Sequence, residues 1–233
     1  MILTVFLDQL HARIIHDPEW QEWAQMVGQY DADIEIKFGC DHGKQHWLRV
    51  ANTAKDFVQR AGGNRYEILL ADIAGLLHDC GLICGDANHA ANGARIAQAY
   101  LASHWGNERP LSDSDISIIT HAIAHHSDCQ DIHNLVDAGL IFADKTDLDH
   151  RRALQTINHT QREITKIKQI QFKVTDTVLA LNYEVADDFN LDNFHWKKAF
   201  DAPAAVAIFL SKEFRFFING HPAHLPTSQT PTV

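Results

Sequence analysis

The segment LLADIAGLLHDCG (residues 69–81) joins an apolar stretch to the adjacent pair His78 and Asp79. Its apolar residues recur three and four positions apart, which predicts a buried helix that ends at this pair. A buried imidazole and a buried carboxylate are each costly unless they are partnered, and a metal ion would partner both. Since a carboxylate can bridge two cations whereas an imidazole nitrogen forms one bond, the pair could hold one metal ion and share a second.

Four further candidate ligands lie on the core-facing stripes of other predicted helices. His46 lines up with Val50, and His126 continues the row of Ile119 and Ile123. Side chains spaced in this way share one helix face, so we expect each candidate to point inward. The alternative for each is an ordinary hydrogen-bonded core residue. The four candidates are His46, His89, His126 and Asp144.

The order of these motifs resembles that of the HD-domain metal phosphohydrolases, in which H, HD, H, H and D motifs on separate helices build a two-metal site. The segments that carry the resemblance are DHGKQHWLRVA (41–51), AGLLHDCG (74–81), NHAANGARIA (88–97), AIAHHSD (122–128) and LIFADKTD (140–147). Bacterial HD proteins with an EHG-x-x-H start, an ADKSD-like final motif and a C-terminal strand ending in ING are also similar. The segment FFING (216–220) extends the likeness to most of the chain, although the substrate of that subgroup is unassigned.

The resemblance implies two divalent metal ions, with iron, manganese, magnesium, cobalt and zinc as candidates. One ion would be held by His46, His78, Asp79 and Asp144, and the other by Asp79, His89 and His126, so that Asp79 is the bridge. It also implies hydrolysis of a phosphate ester by a hydroxide held between the ions. The expected substrate is a small phosphorylated molecule such as a nucleotide.

Three residues are predicted to act in catalysis: Asp79, His125 and Lys145. Lys145 follows the last ligand and could neutralise charge on the phosphoryl group, while His125 or Asp128 could protonate the leaving oxygen. A solvated or ion-paired role is the alternative for Lys145 and for Arg49. His42 could line the pocket or face solvent, and we interpret His121, His133, His150 and His159 as surface residues.

The sequence departs from the family pattern at two places. Cys80, Gly81 and Leu82 stand where many relatives have Ile-Gly-Lys or Ile-Gly-Asn, so a polar side chain is missing there. His125 and His126 form a double histidine like that of the HD-GYP phosphodiesterases. No GYP motif follows, so hydrolysis of a cyclic dinucleotide is not favoured.

Composition restricts the partners. The 233 residues include 30 acidic and 20 basic ones, a net charge of -10, which disfavours polymeric nucleic acid and anionic membranes as partners. The N-terminal segment lacks the features of a signal peptide, and the four cysteines contain no C-x-x-C pair. These features predict a cytoplasmic protein.

The predicted fold is mainly α: a helical HD bundle with a small C-terminal antiparallel sheet and a helix. Helices are predicted near 2–16, 18–30, 44–61, 66–79, 88–104, 112–126 and 132–145. A β-hairpin follows, then a helical stretch at 191–212 interrupted near Pro203, and a third strand near 215–219. We expect a helical domain over 1–160, an appendage packed on it over 161–221, and a disordered tail over 222–233.

The ligand set alone leaves other functions open. Some HD-fold proteins are mixed-valent di-iron oxygenases with the same ligands, and a regulatory module could retain the metals without turnover. The C-terminal hairpin and helix could cap the pocket, contact substrate or form a homodimer interface.

Overall fold

The computed structural model describes residues 2–33, 40–103, 111–128, 131–153, 159–194 and 197–223. The first part is helical: α1 (Ile2–His16), α2 (Pro18–Asp33), α3 (Lys44–Arg60), α4 (Arg65–Leu77), a 3-10 helix (Cys80–Cys84), α5 (His89–Ser103), α6 (Asp113–His125), α7 (Leu135–Thr146) and α8 (His159–Lys166). The second part contains β1 (Ile167–Val174), β2 (Val178–Val185), a 3-10 turn (Leu191–Asn193), α9 (Lys198–Phe209), β3 (Glu213–Ile218) and β4 (His221–Pro222). The predicted fold class is confirmed.

Side-chain caps explain where the central helices begin. Asn64 accepts hydrogen bonds from the amides of Tyr66 and Glu67 at the start of α4, and Ser112 caps α6 in the same way. Asn134 caps α7, so this helix begins three residues later than the periodicity predicts. The predicted bounds of the other early helices lie within three residues of the observed ones.

A close approach of two helices places the first histidine beside the His-Asp pair. Gly75 of α4 faces Ala51 of α3, and a Cβ atom on Gly75 would lie 2.5 Å from the Cα atom of Ala51. The absence of a side chain therefore lets the two backbones nearly touch. This contact brings His46 of α3 next to His78, directly after α4.

The small sheet is mixed rather than antiparallel throughout. β1 and β2 form the predicted antiparallel hairpin, with Phe172 opposite Leu181. β3 runs parallel to β2, with Leu181 opposite Phe216, and β4 turns back antiparallel to β3. The helix α9 lies between β2 and β3 and returns the chain to the same end of the sheet, which makes a parallel pair possible.

Helix α9 differs from its prediction in two ways. It begins at Lys198 rather than near residue 191, and it continues through Pro203 without a break. Burial of Phe200 and Val206 against the sheet outweighs the local cost of the proline.

The sheet shares a hydrophobic core with the helical part. Phe57 of α3 stacks on Phe142 of α7 with ring centroids 4.5 Å apart, and Phe172 of β1 packs edge-on against Phe142 at 5.0 Å. The packing of the appendage on α3 and α7 is therefore direct. Of the predicted tail, Pro222 lies in β4 and residues 224–233 lie outside the described residues.

No single helix in the part of the chain that the structure describes is long and apolar enough to cross a bilayer. Residues 65–84 and α5 together are long and apolar enough for a membrane span, but the two segments are bent by 116° relative to each other.

Candidate metal centre

The structure brings all six predicted ligands into one cluster where five helices meet. His46 comes from α3, and His78 and Asp79 directly follow α4. The others lie at the start of α5, after α6 and near the end of α7: His89, His126 and Asp144. Five of the six are buried and His89 is partly exposed, so the cluster opens on the His89 side.

Asp79 divides its two carboxylate oxygens between two groups of histidines. Oδ2 lies 3.2 Å from Nε2 of His78 and 3.5 Å from Nε2 of His46. Oδ1 lies 3.4 Å from Nε2 of His126 and 3.8 Å from Nε2 of His89. This is the arrangement expected of a carboxylate that bridges two cations.

Asp144 completes the first group. Its Oδ1 atom lies 3.3 Å from Nε2 of His46 and 3.8 Å from Nε2 of His78. Ligand atoms bound to one cation at about 2.0 to 2.2 Å are separated by about 3 to 3.5 Å, which is close to these distances. The two predicted ligand sets therefore adjoin each other, and the ligand atoms of His78, His126 and Asp144 also lie within 4.8 Å of one another.

Backbone carbonyls fix the orientation of three of the histidines. The Nδ1 atom of His78 donates to the carbonyl of Gly75 at 2.9 Å, and that of His126 donates to Ile123 at 2.7 Å. His89 donates to Asp86 in the same way, at 3.1 Å. In each case the carbonyl belongs to the residue three positions earlier. For His78 and His126 this carbonyl belongs to the last helical turn, where carbonyls lack an intrahelical partner.

These hydrogen bonds determine what the centre can bind. A carbonyl only accepts, so Nδ1 carries the proton and the neutral ring presents a lone pair at Nε2. The Nε2 atoms of His78, His89 and His126 face the oxygens of Asp79 at 3.2 to 3.8 Å. Lone pairs and anionic oxygens that converge in a buried site repel one another unless a cation lies between them. The donor set therefore fits divalent metal ions.

The electrostatics of the cluster also favour positive charge. Burial and the Arg152 guanidinium lower the pKa of His46, but hydrogen bonds with Asp144, Asp147 and Asp79 outweigh them and raise it to about 9. Burial raises the pKa of Asp79, yet the neighbouring imidazoles, His78 foremost, hold it well below its usual range. Both carboxylates that face the centre are thus anionic at neutral pH, because the pKa of Asp144 is likewise lowered, by Lys145 foremost, against the effect of burial.

Asp147 supports the centre from behind and was not predicted. Its Oδ2 atom accepts a hydrogen bond from Nδ1 of His46 at 2.7 Å. Arg49 donates to both oxygens of Asp147, at 2.8 and 2.9 Å, and Arg152 donates to its carboxylate at 3.3 Å. A carboxylate behind a ligating imidazole orients the ring and raises its basicity. Arg49 thus belongs to this support, and the second aspartate of the ADKTD motif was an available signal for Asp147.

Replacing Asp147 by asparagine should weaken metal binding about 10- to 100-fold, because His46 loses its charged partner and Arg49 loses one of two acceptor oxygens. Competition with a calibrated chelator measures the affinity. Asp149→Asn is the matched control, since Asp149 is also buried but pairs with Arg151. Equal metal affinities for the two variants would contradict this role.

Ser127 is a second contact that sequence analysis missed. Its hydroxyl lies 3.1 Å from Nε2 of His89 and 3.3 Å from Nε2 of His126. Its backbone carbonyl accepts a hydrogen bond from Lys198 of α9 at 2.7 Å. The C-terminal part of the chain therefore contacts the segment that carries His126.

The three predicted catalytic residues are placed differently. Asp79 lies at the middle of the cluster, and the ammonium of Lys145 contacts Oδ2 of Asp144. His125 instead lies against His121, with ring centroids 4.5 Å apart, and 3.5 Å from Asp131. The structure thus does not bring His125 into the cluster of six.

The structure also changes the interpretation of His42 and His121. His42 packs edge-on against the ring of His46, with centroids 5.9 Å apart, so it borders the centre. His121 is only 26% exposed and contacts the fully buried Asp137, which corrects its interpretation as a plain surface residue. His133 stacks on His121 while remaining exposed.

The departure at Cys80, Gly81 and Leu82 has a packing explanation. Cys80 and Leu82 are buried in the hydrophobic core, and burial, with Asp79 nearby, raises the pKa of the Cys80 thiol. A side chain at position 82 that packs in the core cannot contact substrate. Gly81 remains glycine because a Cβ atom there would overlap the backbone of His89 and Gly93.

The family model of the HD domain matches residues 43–179. The crystal structure of a predicted HD superfamily hydrolase from an uncultured Thermotogales bacterium is 23% identical, with a TM-score of 0.43, and the match covers 57% of this chain and 69% of that chain. No curated protein matches the chain. Because the family model spans more than half of the sequence and includes every residue of the cluster, the protein belongs to the HD-domain family.

Proposed function

We propose that the protein is a metal-dependent phosphohydrolase that cleaves a phosphate ester of a small molecule, with a nucleotide as the leading candidate. The observation that carries the proposal is the position of Asp79, whose two oxygens face different pairs of histidines. Two half-sites that share a carboxylate are suited to two cations about 3.5 to 4 Å apart, the spacing typical of two-metal hydrolases.

The donor atoms restrict the choice of metal. Four imidazole nitrogens and two carboxylates form the cluster. Imidazole suits iron, cobalt and zinc, whereas magnesium prefers an all-oxygen environment. We therefore propose two ions from the imidazole-binding metals and consider magnesium the weakest of the candidates.

The residues of the cluster and its neighbour Lys145 would have distinct roles in binding and catalysis. Asp79 and Asp144 supply negative charge that holds the ions, and the hydrogen-bonded Nδ1 atoms keep each imidazole lone pair aimed inward. Bound divalent cations would supply Lewis acidity, lowering the pKa of water and neutralising charge on phosphoryl oxygens. Lys145 places an ammonium beside Asp144, where it could contact a phosphoryl oxygen of the substrate.

A small substrate fits the charge and the burial of the centre. The net charge of -10 gives no broad attraction for a polyanion, so binding must depend on local cations such as Lys145 and the metals. Arg49 and Arg152 are both committed to Asp147 and support the centre rather than the substrate.

A metal-reconstituted substrate screen tests the proposal. The protein is stripped with a chelator, loaded separately with iron, manganese, cobalt, zinc or magnesium, and assayed against nucleoside mono-, di- and triphosphates, alarmones, dinucleoside polyphosphates and simple phosphomonoesters. Phosphate or nucleotide release that needs one of the imidazole-binding metals supports the proposal. Oxygen consumption by an iron-loaded protein without phosphoester cleavage would replace it with an oxygenase, and binding without turnover would replace it with a regulatory module.

Substitution of Lys145 by methionine should lower kcat for the identified ester about 100-fold while leaving metal content unchanged, because the ammonium acts on the substrate and is not a ligand. Metal analysis and steady-state kinetics on the same preparation provide both readouts. Lys173→Met, on the exposed face of β1, is the control. A K145M protein with normal kcat would remove Lys145 from the catalytic machinery.

A further inference from the structure

A second group of histidines surrounds Asp131, outside the six residues of the metal centre. Nε2 of His133 lies 2.7 Å from Oδ1 of Asp131, and Nε2 of His121 lies 3.7 Å from Oδ2. Nδ1 of His125 lies 3.5 Å from the same Oδ2 atom. The rings of His121 and His133 are stacked with centroids 4.6 Å apart, so their Nε2 atoms face the carboxylate together.

One buried carboxylate positions two members of this group. Asp137, in the first turn of α7, is fully buried. Its Oδ1 atom lies 3.1 Å from Nδ1 of His121, and its Oδ2 atom accepts a hydrogen bond from the backbone amide of His133 at 2.9 Å. Asp137 thus stands behind His121 as Asp147 stands behind His46, a carboxylate–histidine arrangement that is typical of metal sites.

The hydrogen bond from His121 to Asp137 leaves the opposite ring nitrogen, Nε2, as a possible ligand atom. An ionised carboxylate only accepts, so Nδ1 of His121 carries the proton and Nε2 of the neutral ring presents a lone pair. This lone pair faces Oδ2 of Asp131. Two electron-rich atoms that face each other in this way can bind one cation together.

We propose that His121, Asp131 and His133 form an additional site for a divalent transition metal of the zinc class. Two imidazole nitrogens and one carboxylate oxygen match the ligands that zinc prefers, and they do not match an all-oxygen magnesium site. The three ligand atoms lie within 4.8 Å of one another, and small side-chain rotations of the exposed His133 would bring them to coordination distance. Solvent or His125 would complete the coordination.

A metal ion at this site would link two neighbouring segments of the chain. His121 lies on α6, whereas Asp131 and His133 lie in the connection between α6 and α7. This connection joins the helix that precedes His126 to the helix that carries Asp144. A metal ion bound here would tie the connection to α6 beside the main centre, and it would do so whether or not the main centre acts on a phosphate ester.

Zinc stoichiometry of matched variants tests the site. Wild-type protein, His133→Ala, Asp131→Asn and the control His221→Ala are dialysed to equilibrium against the same micromolar free zinc, and bound zinc is counted by mass spectrometry. His133 and His221 are exposed and Asp131 is partly exposed, so none of these changes should threaten folding. Crystals of the wild type and of H133A, measured at the zinc absorption edge, locate the ion.

We expect H133A and D131N each to bind one zinc equivalent less than the wild type, and H221A to match the wild type. The wild-type crystals should show an anomalous peak between His121, Asp131 and His133 that is missing in H133A. Because the readout is a difference of one equivalent, it does not depend on how many ions the main centre holds. Equal stoichiometry in all four proteins, the same loss in H221A, or no peak at these residues would overturn the proposal.

Discussion

Replacing Asp79 by alanine should remove both of the proposed metal ions and lower the proposed phosphoesterase activity by at least about 1000-fold, a loss of about 4 kcal/mol of transition-state stabilisation. The two oxygens of Asp79 face different pairs of histidines. Each histidine faces only one of these oxygens, so the loss of a single histidine should be less severe than the loss of Asp79. Metal analysis after dialysis and the ester assay measure the two effects.

The matched control for this variant is Asp72→Asn. Asp72 lies two helical turns earlier on α4, is also buried, and pairs with His11 rather than with the centre. The control should retain both ions and full activity, which separates loss of the bridge from loss of any buried carboxylate on this helix. A D79A protein that is free of metal and still active would refute the proposed function.

Gly81→Ala should destabilise the protein by about 3 kcal/mol and empty the half-site formed by His89 and His126. The new Cβ atom would overlap the carbonyl oxygen of His89 and the amide of Gly93, and backbone atoms cannot rotate away as a side chain can. The 3-10 helix must then move away from α5, which carries His89. For a chain of 233 residues this cost corresponds to a fall in Tm of about 10 °C.

Gly28→Ala provides the comparison. Gly28 lies inside α2, and an added Cβ atom would meet nothing closer than 4.0 Å. Alanine is the better helix former, so this variant should be neutral or slightly more stable. Thermal unfolding and metal analysis of both proteins measure the predicted fall in Tm and the predicted loss of metal. If G81A melts at the wild-type temperature with a full complement of metal, the close approach of Gly81 to α5 has no role in building the site.

The positions of the ligands were predictable because they obey local rules. Apolar spacing of three and four residues placed His46 and His126 on inward faces, and the helix that ends at His78 and Asp79 needed a partner for both. These are properties of short segments, and the structure brings all six residues together as expected.

The ADKTD motif contains Asp147, but the partners in the supporting contacts were not predictable from local patterns. Asp147 and Arg152 meet His46 across 101 and 106 residues of sequence, so only the fold brings them to this ring. His125 is a different case, and its catalytic role stays a prediction. Consecutive residues of a helix point about 100° apart, so a histidine next to a ligand in sequence faces another direction. The parallel pairing of β3 likewise depends on where α9 returns the chain, which its sequence does not reveal.

Anomalous diffraction from crystals grown with iron, cobalt or zinc tests whether Asp79 bridges two metal ions, as we propose. We expect two peaks about 3.5 to 4 Å apart, one beside His46, His78 and Asp144 and the other beside His89 and His126, with the carboxylate of Asp79 between them. A single peak in the cluster, or two peaks of which only one contacts Asp79, would contradict a bridging role for Asp79.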